Sequence, residues 1–441
     1  MSLHPHQQAL IADVQAAFAQ GHNAVLMQGC TGIGKTHCAA HGVIRPSVDR
    51  GRRFVFAAHL EELLDDTAGR LTALGVPCGT VKAGRPSQPA SPVQVCSTPT
   101  LARMLERGEE LPPADRIIID EAHRSSSRTN REVLAYYRSR RAKILGLTAT
   151  PARGDDQPLD EFTALVQGPS FRWLIEHGYL VKPEVFAPAK ILDQGVAEDP
   201  VTVVSARAFH RRGIVFAPSA REAIRIADVL TTLGHATEAI IESTDADTRR
   251  SVRDRLASGE TRHVVTVRAL LEGFDAPVLD CAVLCAAFTT ISPFLQAVGR
   301  VVRAYPGKVD AWVFDLRGAV YIHNVPDADR AWSLEGAQGR SDEEALKALR
   351  TCRDCHATFP VAAVCPRCGS RYQTDPRPLR IQRAELWAQS GVPTEVRAHK
   401  YLDGAVRGLL NRRPDISPQW ARSAVLSKAP RWVREALSAA A

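Results

Sequence analysis

Two doubly wound α/β domains in tandem, followed by a small cysteine module and a helical C-terminal region, are what the sequence predicts. Three observations lead there. Short apolar runs alternate with helical patterns through the first half of the chain, the alternation restarts after a proline-rich passage around 182–200, and four of the ten cysteines stand in two CxxC pairs beyond residue 350. A chain of 441 residues is also too long for one core, so two large domains plus a module is the natural division.

In the first half, NAVLMQ (23–28), RRFVFAA (52–58), VQVCS (93–97), RIIID (116–120) and KILGLTAT (143–150) each read as a buried parallel strand. His37 to Ile44 and Glu61 to Leu74 read as crossover helices between them. The pattern resumes with GIVFA (213–217), TEAIIE (237–242), HVVTV (263–267), CAVLCAA (281–287) and AWVFDL (311–316). From about Asn324 to Arg350 the strands stop and charged, glycine-containing sequence leads into the cysteine module. Past Arg377, helical periodicity is interrupted by Pro393, Pro414, Pro418 and Pro430, which predicts several short helices. The expected boundaries are 1–185 and 200–325 for the two α/β domains, 345–375 for the cysteine module and 376–441 for the tail.

Composition narrows the class of function. Hydrophobic residues make up 45% and charged residues 24%, and no apolar run approaches a membrane span. The first residues, MSLHPHQQALIADV, lack a basic segment followed by an apolar run, so the expectation is a cytoplasmic protein. Six cysteines are scattered and four are paired as CxxC, which suits a reducing compartment and not a disulfide framework. Net charge is +8, and from Pro376 onward twelve Lys/Arg face five Asp/Glu, so the excess is concentrated in the tail. A polyanion is the partner such a segment implies.

The chemistry begins directly after the strand NAVLMQ. Gly29-Cys30-Thr31-Gly32-Ile33-Gly34-Lys35-Thr36 fits GxxxxGK[ST] and precedes a helical stretch. Its glycines let backbone N–H groups wrap phosphates, Lys35 neutralises the outer ones, and the Thr36 hydroxyl reaches Mg²⁺. A second metal ligand is expected at the end of RIIID, where a hydrophobic strand delivers Asp120-Glu121-Ala122-His123 to the carboxyl edge of the sheet. There Asp120 can hold Mg²⁺ and Glu121 can polarise an attacking water.

These residues carry a resemblance. Asp120-Glu121-Ala122-His123, Thr148-Ala149-Thr150-Pro151 and Gln296-Ala297-Val298-Gly299-Arg300-Val301-Val302-Arg303 resemble motifs II, III and VI of superfamily 2 helicases, in order and at the spacing that two RecA-like domains require. The resemblance extends over roughly residues 1 to 340. It implies that Arg300 and Arg303 act as arginine fingers, that Gln296 helps position water at the γ-phosphate, and that His123, Thr148 and Thr150 couple phosphate state to domain closure. Gln7, in LHPHQQ, resembles the glutamine that contacts adenine, with Gln8 beside it as a rival for that place. Glu272-Gly273-Phe274-Asp275 resembles motif V, which touches nucleotide and nucleic acid.

Further stretches, GLTATPAR, GPSFRWLIEHGYLVKP, LLEGFDAP and GRVVRAYPGK, resemble DEAH-type helicases related to type I restriction motors and transcription-repair helicases, particularly those of phages and prophages. Two departures lie at strand-contacting positions. Ala58 to Asp66 reads AHLEELLDD where AHRxELLxQ is usual, and Ser97 to Leu101 reads STPTL where TxQTL is usual. His59, Thr98 and Thr100 remain as phosphate contacts in that comparison.

Cys352 and Cys355, a nine-residue spacer, then Cys365 and Cys368 give two knuckles whose thiolates suit a tetrahedral Zn²⁺. Four thiolates leave no open position, so the zinc is expected to be structural. Arg353, Arg367 and Arg371 flank it, and Trp387, Tyr401, Trp420 and Trp432 sit among arginines farther on. Those aromatics suit stacking on nucleic acid, or equally the cores of small helices. The expectation is an ATP-driven, Mg²⁺-dependent motor on nucleic acid, DNA favoured over RNA, with a protein partner possible through the zinc and C-terminal region. The rival expectation is an ATP-switched binding module or the motor subunit of a nuclease or replication complex.

Overall fold

In a computed structural model, the protein is described over residues 3–335 apart from 60, 83–87, 126, 152–157, 189–190, 193, 268–273 and 329, and beyond that over 349–351, 358–360, 364, 369–371, 386–388, 402–404, 406–407, 410, 417–428 and 438. Two compact units emerge. The first comprises Met1–Leu180 with Thr290–Gly299 and Asp327–Ser341, the second Val181–Thr289 with Arg300–Pro326 and Asp342–Ala441.

The first unit opens with helix α1 (Pro5–Ala19). Proline at its first position has no N–H to leave unsatisfied, and the Gln7 side chain accepts the N–H of His4 at 2.9 Å to cap the start. Leu10, Ile11, Val14, Ala17 and Phe18 recur at helical spacing and form its buried face. Strand β1 (Ala24–Gln28) leads into a helical run made of α2 (Lys35–Cys38), a π-helical turn (Ala39–Ile44) and a last α turn (Arg45–Val48). Gly42 lies against α1 so tightly that a Cβ there would meet Ile11 Cδ1 at 2.1 Å, so only glycine permits this crossing.

The rest of that unit alternates: β2 (Phe54–Ala58), α3 (Glu61–Ala73), β3 (Cys78–Val81), β4 (Val93–Ser97), α4 (Thr98–Glu106), β5 (Arg116–Ile119), α5 (Arg128–Ser139), β6 (Lys143–Thr148), β7 (Ala164–Gln167) and α6 (Phe171–Glu176). All seven strands are parallel, in the order β3-β4-β2-β5-β6-β1-β7. Every residue of β1, β2 and β4 is buried, as strands covered on both faces must be. Val55, Ala57, Ile117, Ile119, Leu134, Tyr137 and Phe162 belong to the core on one face.

The second unit holds β8 (Lys182–Pro188), β9 (Gly213–Ala217), α7 (Ala220–Thr232), β10 (Thr237–Ile240), α8 (Ala246–Ser258), β11 (His263–Val267), β12 (Cys281–Leu284) and β13 (Asp310–Asp315). Their order is β10-β11-β9-β12-β13-β8, all parallel. Its core includes Val215, Val265, Val283, Phe314, Phe186 and Trp312. Helix α9 (Ile291–Gly299) follows β12 in sequence and belongs to the first unit.

The second sheet starts earlier than the sequence pattern suggests, because β8 falls inside the proline-rich passage. Pro183 and Pro188 lack the N–H a central strand needs, but β8 has parallel pairing only on its β13 side. On its other side β16 (Leu386–Ala388) pairs antiparallel with residues 186–188. Two further strands, β14 (Leu349–Thr351) and β15 (Thr358–Pro360), form an antiparallel pair, and helix α10 (Pro418–Lys428) lies in the tail.

Candidate active site

Three neighbouring strands, β5, β6 and β1, end at the same edge of the first sheet, and each is followed by a chemically distinctive turn. After β1 comes the glycine loop, after β5 Asp120 and Glu121, and after β6 Ala149 and Thr150. This is where a doubly wound parallel sheet places ligands, because the helix starts there present unsatisfied N–H groups.

The loop is shaped by its glycines. Gly32 (φ +97°) and Gly34 (φ +82°) lie in the left-handed region, and a Cβ on Gly34 would stand 3.0 Å from Gln7 Nε2. The Ile33 N–H bonds to Cys30 O at 3.1 Å, Lys35 Nζ donates to Gly29 O at 2.9 Å, and the Cys38 N–H closes on Gly34 O at 2.8 Å. Buried Gln7 Nε2 donates to Ile33 O at 2.7 Å, so α1 and the loop are joined at the glutamine singled out in the sequence. Gln8 is exposed and bonds to Leu3 O instead. The Gly29 N–H donates to Thr148 O at 3.0 Å, tying the loop to the end of β6.

Burial pushes the Cys30 thiol up from its ordinary value, against the pull of Lys35 and Arg330. It donates to Pro169 O at 3.6 Å and stays protonated. Among the described residues, the buried Thr31 Oγ1 and Thr150 Oγ1 have no hydrogen-bond partner. Orphaned hydroxyls at this edge, beside glycines whose Cβ positions are filled, are what a cradle for an oxygen-rich ligand presents.

Asp120 receives the N–H of Glu121 on Oδ1 at 2.9 Å, and Glu121 adopts φ +47°, a left-handed conformation rare for a side chain of its size. A single turn of 3₁₀ helix, Ala122–Arg124, follows. Glu121 Oε2 lies 3.3 Å from His123 Nδ1 and accepts from Gln296 Nε2 at 3.3 Å. His123 Nδ1 is in turn 3.4 Å from Thr148 Oγ1, which donates to Thr150 O at 3.0 Å and accepts the Thr150 N–H at 3.1 Å. Polar contacts thus run from α9 through Glu121 and His123 to the turn after β6. At the end of α9, a Cβ on Gly299 would fall 2.2 Å from Thr31 Cγ2, so glycine is what lets this helix approach the loop.

Beside Gln7, aromatic rings gather. Trp173 and His177 stack at 3.7 Å, and His6 meets Tyr179 edge-on at 4.2 Å. Burial first, then the charges of His4 and His177, hold the His6 imidazole below its usual range. Along the same sheet edge, exposed His59 follows β2, and α4 begins with buried Thr98 and half-buried Thr100.

In the second unit, Arg300 is buried and donates to Phe274 O at 2.9 Å, while Arg303 is ion-paired with Asp275. Cys352, Cys355, Cys365 and Cys368 lie outside the described residues, as do Arg353, Arg367, Tyr401, Trp432 and Glu272-Gly273 of the motif V sequence. Trp387 and Trp420 are described in their backbones, on β16 and α10. Among the described residues no metal-ligating cluster occurs and no helix is long and apolar enough to cross a membrane.

Residues 1–153 match the family described as type III restriction enzyme, res subunit, and residues 198–305 match the helicase conserved C-terminal domain. The chain belongs to the superfamily 2 helicases. It is therefore an enzyme of an ATP-dependent helicase class. The helicase is 23% identical over 390 residues to a 51.5 kDa protein of a Lactococcus phage (isolate 7-9), covering 82% of this chain and 81% of the relative. It superimposes with a TM-score of 0.56 at 22% identity on a fragment of a putative HsdR subunit of a type I restriction enzyme from Vibrio vulnificus YJ016, over 73% of this chain and 65% of that one. The Mycobacterium smegmatis helicase Lhr bound to ssDNA and AMP-PNP follows at TM-score 0.50 and 21% identity, over 71% of this chain and 46% of that one. At these identities the likeness establishes the fold, and the helicase spans less than two thirds of both solved chains.

Several participants carry no signal that the sequence reading used. Gln28 closes β1 and donates to Ala149 O at 3.1 Å, linking the glycine loop's strand to the turn after β6; a polar residue ending an apolar strand just before a glycine loop was the available clue. Ser125 and Glu161, 36 positions apart, meet just past the Asp120–Arg124 turn, and nothing local in the sequence announces that pairing.

Proposed function

We propose that this helicase hydrolyses ATP to drive movement along a nucleic acid strand, with DNA as the preferred track. The observation that carries the reading is the convergence of the glycine loop, Asp120–His123 and Thr148–Thr150 on three adjacent strand ends. ATP supplies the transferable phosphoryl group, and Mg²⁺ supplies charge neutralisation between its phosphate oxygens. In this reading Gly29 through Thr36 wrap the phosphates, Thr36 and Asp120 hold the metal, and Gln7 orients the base. Glu121 orients and deprotonates the attacking water with Gln296 beside it. Arg300 and Arg303 stabilise the charge that spreads over the transferring group, and Asp275 assists at the nucleotide. His123, Thr148 and Thr150 relay the presence of the γ-phosphate into a changed grip on the strand, with His59, Thr98 and Thr100 among the backbone contacts. DNA is favoured by the resemblance to restriction and phage motors and by the ssDNA in the Lhr complex.

Steady-state ATP hydrolysis with single-stranded DNA, duplex DNA, RNA or no polymer tests this directly. Strong stimulation by DNA is the expected result. Stimulation by RNA alone would reassign the track, and hydrolysis indifferent to all three would remove the motor reading.

The four C-terminal cysteines are proposed to hold a structural Zn²⁺. Two antiparallel pairings support this, since β14 and β15 bracket residues 352–357 and the Val364–Arg371 bridge brackets 365–368. An antiparallel strand pair around the first CxxC and an antiparallel bridge around the second bring the ends of each cysteine segment together, as a two-knuckle site needs. Elemental analysis of the purified chain is expected to find about one zinc per molecule. A Cys365→Ser, Cys368→Ser variant that retains the same zinc content would refute the site.

A further inference from the structure

We propose that Glu161 is a positioning residue for hydrolysis, fixing from behind the turn that carries Asp120, Glu121 and His123. The proposal rests on the reading of that turn given above. It begins from Glu121, whose left-handed backbone is unfavourable for any residue with a side chain and therefore must be held by its surroundings. Arg124 N–H returns to Glu121 O and Ser125 N–H to Ala122 O, both at 2.9 Å, and then the chain leaves for α5.

What holds it lies on the segment that returns after β6. Glu161 is 6% exposed, and each carboxylate oxygen is used. Oε2 accepts from Ser125 Oγ at 3.3 Å and Oε1 from Arg131 Nε at 2.9 Å, while the Glu161 carbonyl accepts from Arg138 Nη2 at 2.9 Å. Ser125, fully buried, directly follows the turn, and Arg131 and Arg138 stand on α5. One residue on, Phe162 lies where a Cβ on Gly146 would meet its ring at 2.5 Å and Ala122 Cβ at 2.8 Å, so ring and turn share the face of β6. The 158–162 segment is itself fastened, since the Leu159 N–H donates to Leu334 O at 2.8 Å.

Glu161 thus touches neither the glycine loop nor the groups that would face substrate, yet it fixes the residue that ends the catalytic turn. Its loss should displace Asp120 and Glu121 by a fraction of an ångström while leaving the nucleotide cradle intact. Displacement of that kind lowers turnover more than binding.

The test is steady-state ATP hydrolysis by the full chain under the polymer condition that stimulates it most, comparing Glu161→Ala, Glu161→Gln and Ser125→Ala with Glu121→Gln as the control. Glu161→Ala is expected to lower kcat about tenfold with KM for ATP within about twofold of the parent. Glu161→Gln should restore kcat, because its amide can accept from Arg131 and donate to Ser125 Oγ. Ser125→Ala should lower kcat in the same direction by a smaller factor. Parental kcat in Glu161→Ala, an equal loss in Glu161→Gln, or a matching rise in KM would overturn the proposal. Should Glu161→Ala fail to fold, Ser125→Ala decides, and parental kcat there counts against it. If Glu121→Gln itself hydrolyses ATP normally, the reading of the site fails; if it is inactive while Glu161→Ala is normal, only the positioning role falls.

Discussion

Glu121→Gln is expected to lower kcat for ATP hydrolysis by about 100-fold or more, with nucleotide affinity nearly unchanged. The substitution keeps the volume of the side chain and its reach toward His123 and Gln296, each 3.3 Å from Oε2, but removes the carboxylate that would take a proton from water. In the proposed function nucleotide affinity is assigned elsewhere, to the glycine loop, Lys35 and Gln7, whose contacts to Gly29 O and Ile33 O the change does not disturb. Single-turnover phosphate release, paired with titration of a fluorescent ATP analogue, separates the two quantities. Parental phosphate release in the variant would exclude Glu121 as the base.

The second large effect falls on stability. Gly146 stands in the middle of β6, opposite Leu26 of β1 and Ile119 of β5, with no room for even a Cβ between the Phe162 ring and Ala122. Gly146→Val must push one of them aside, and both are buried. Overpacking of this kind costs about 3 kcal/mol, which for a domain of this size lowers Tm by roughly 6–12 °C. Ala122 opens the turn after Glu121, so hydrolysis in the surviving folded fraction should fall as well. Thermal melting followed by circular dichroism reads the first effect. A variant melting with the parent would show that the face has slack.

Much of the fold is legible in the sequence. Strands buried on both faces leave continuous apolar runs, so β1, β2, β4, β5 and β6 could be read, and so could β9 to β13. The glycine loop and Asp120–Glu121 fall at strand ends as the sequence predicts, because each motif is a run of consecutive residues directly after an apolar strand. The edge strands of the first sheet were not found. β3 and β7 are only partly buried and carry a weak apolar signal, and in the second sheet the apolar run of β8 is interrupted by Pro183 and Pro188. The Glu161–Ser125 contact was invisible for a different reason, since it joins residues 36 apart and depends on packing that no short window contains. Gln7 illustrates the intermediate case. The sequence offered two adjacent glutamines, and burial separates them.

The short pairing of β16 with β8 has a practical meaning for anyone who trims this chain to its two α/β units. Removing residues 386–388 would uncover backbone polar groups of 186–188, which overlap the apolar Val185-Phe186-Ala187 run of β8. An open, apolar margin recruits strands from neighbouring molecules. A shortened protein that precipitates, or that elutes as a larger species and hydrolyses ATP poorly, would then report self-association through that margin before it reported anything about the role of the basic tail.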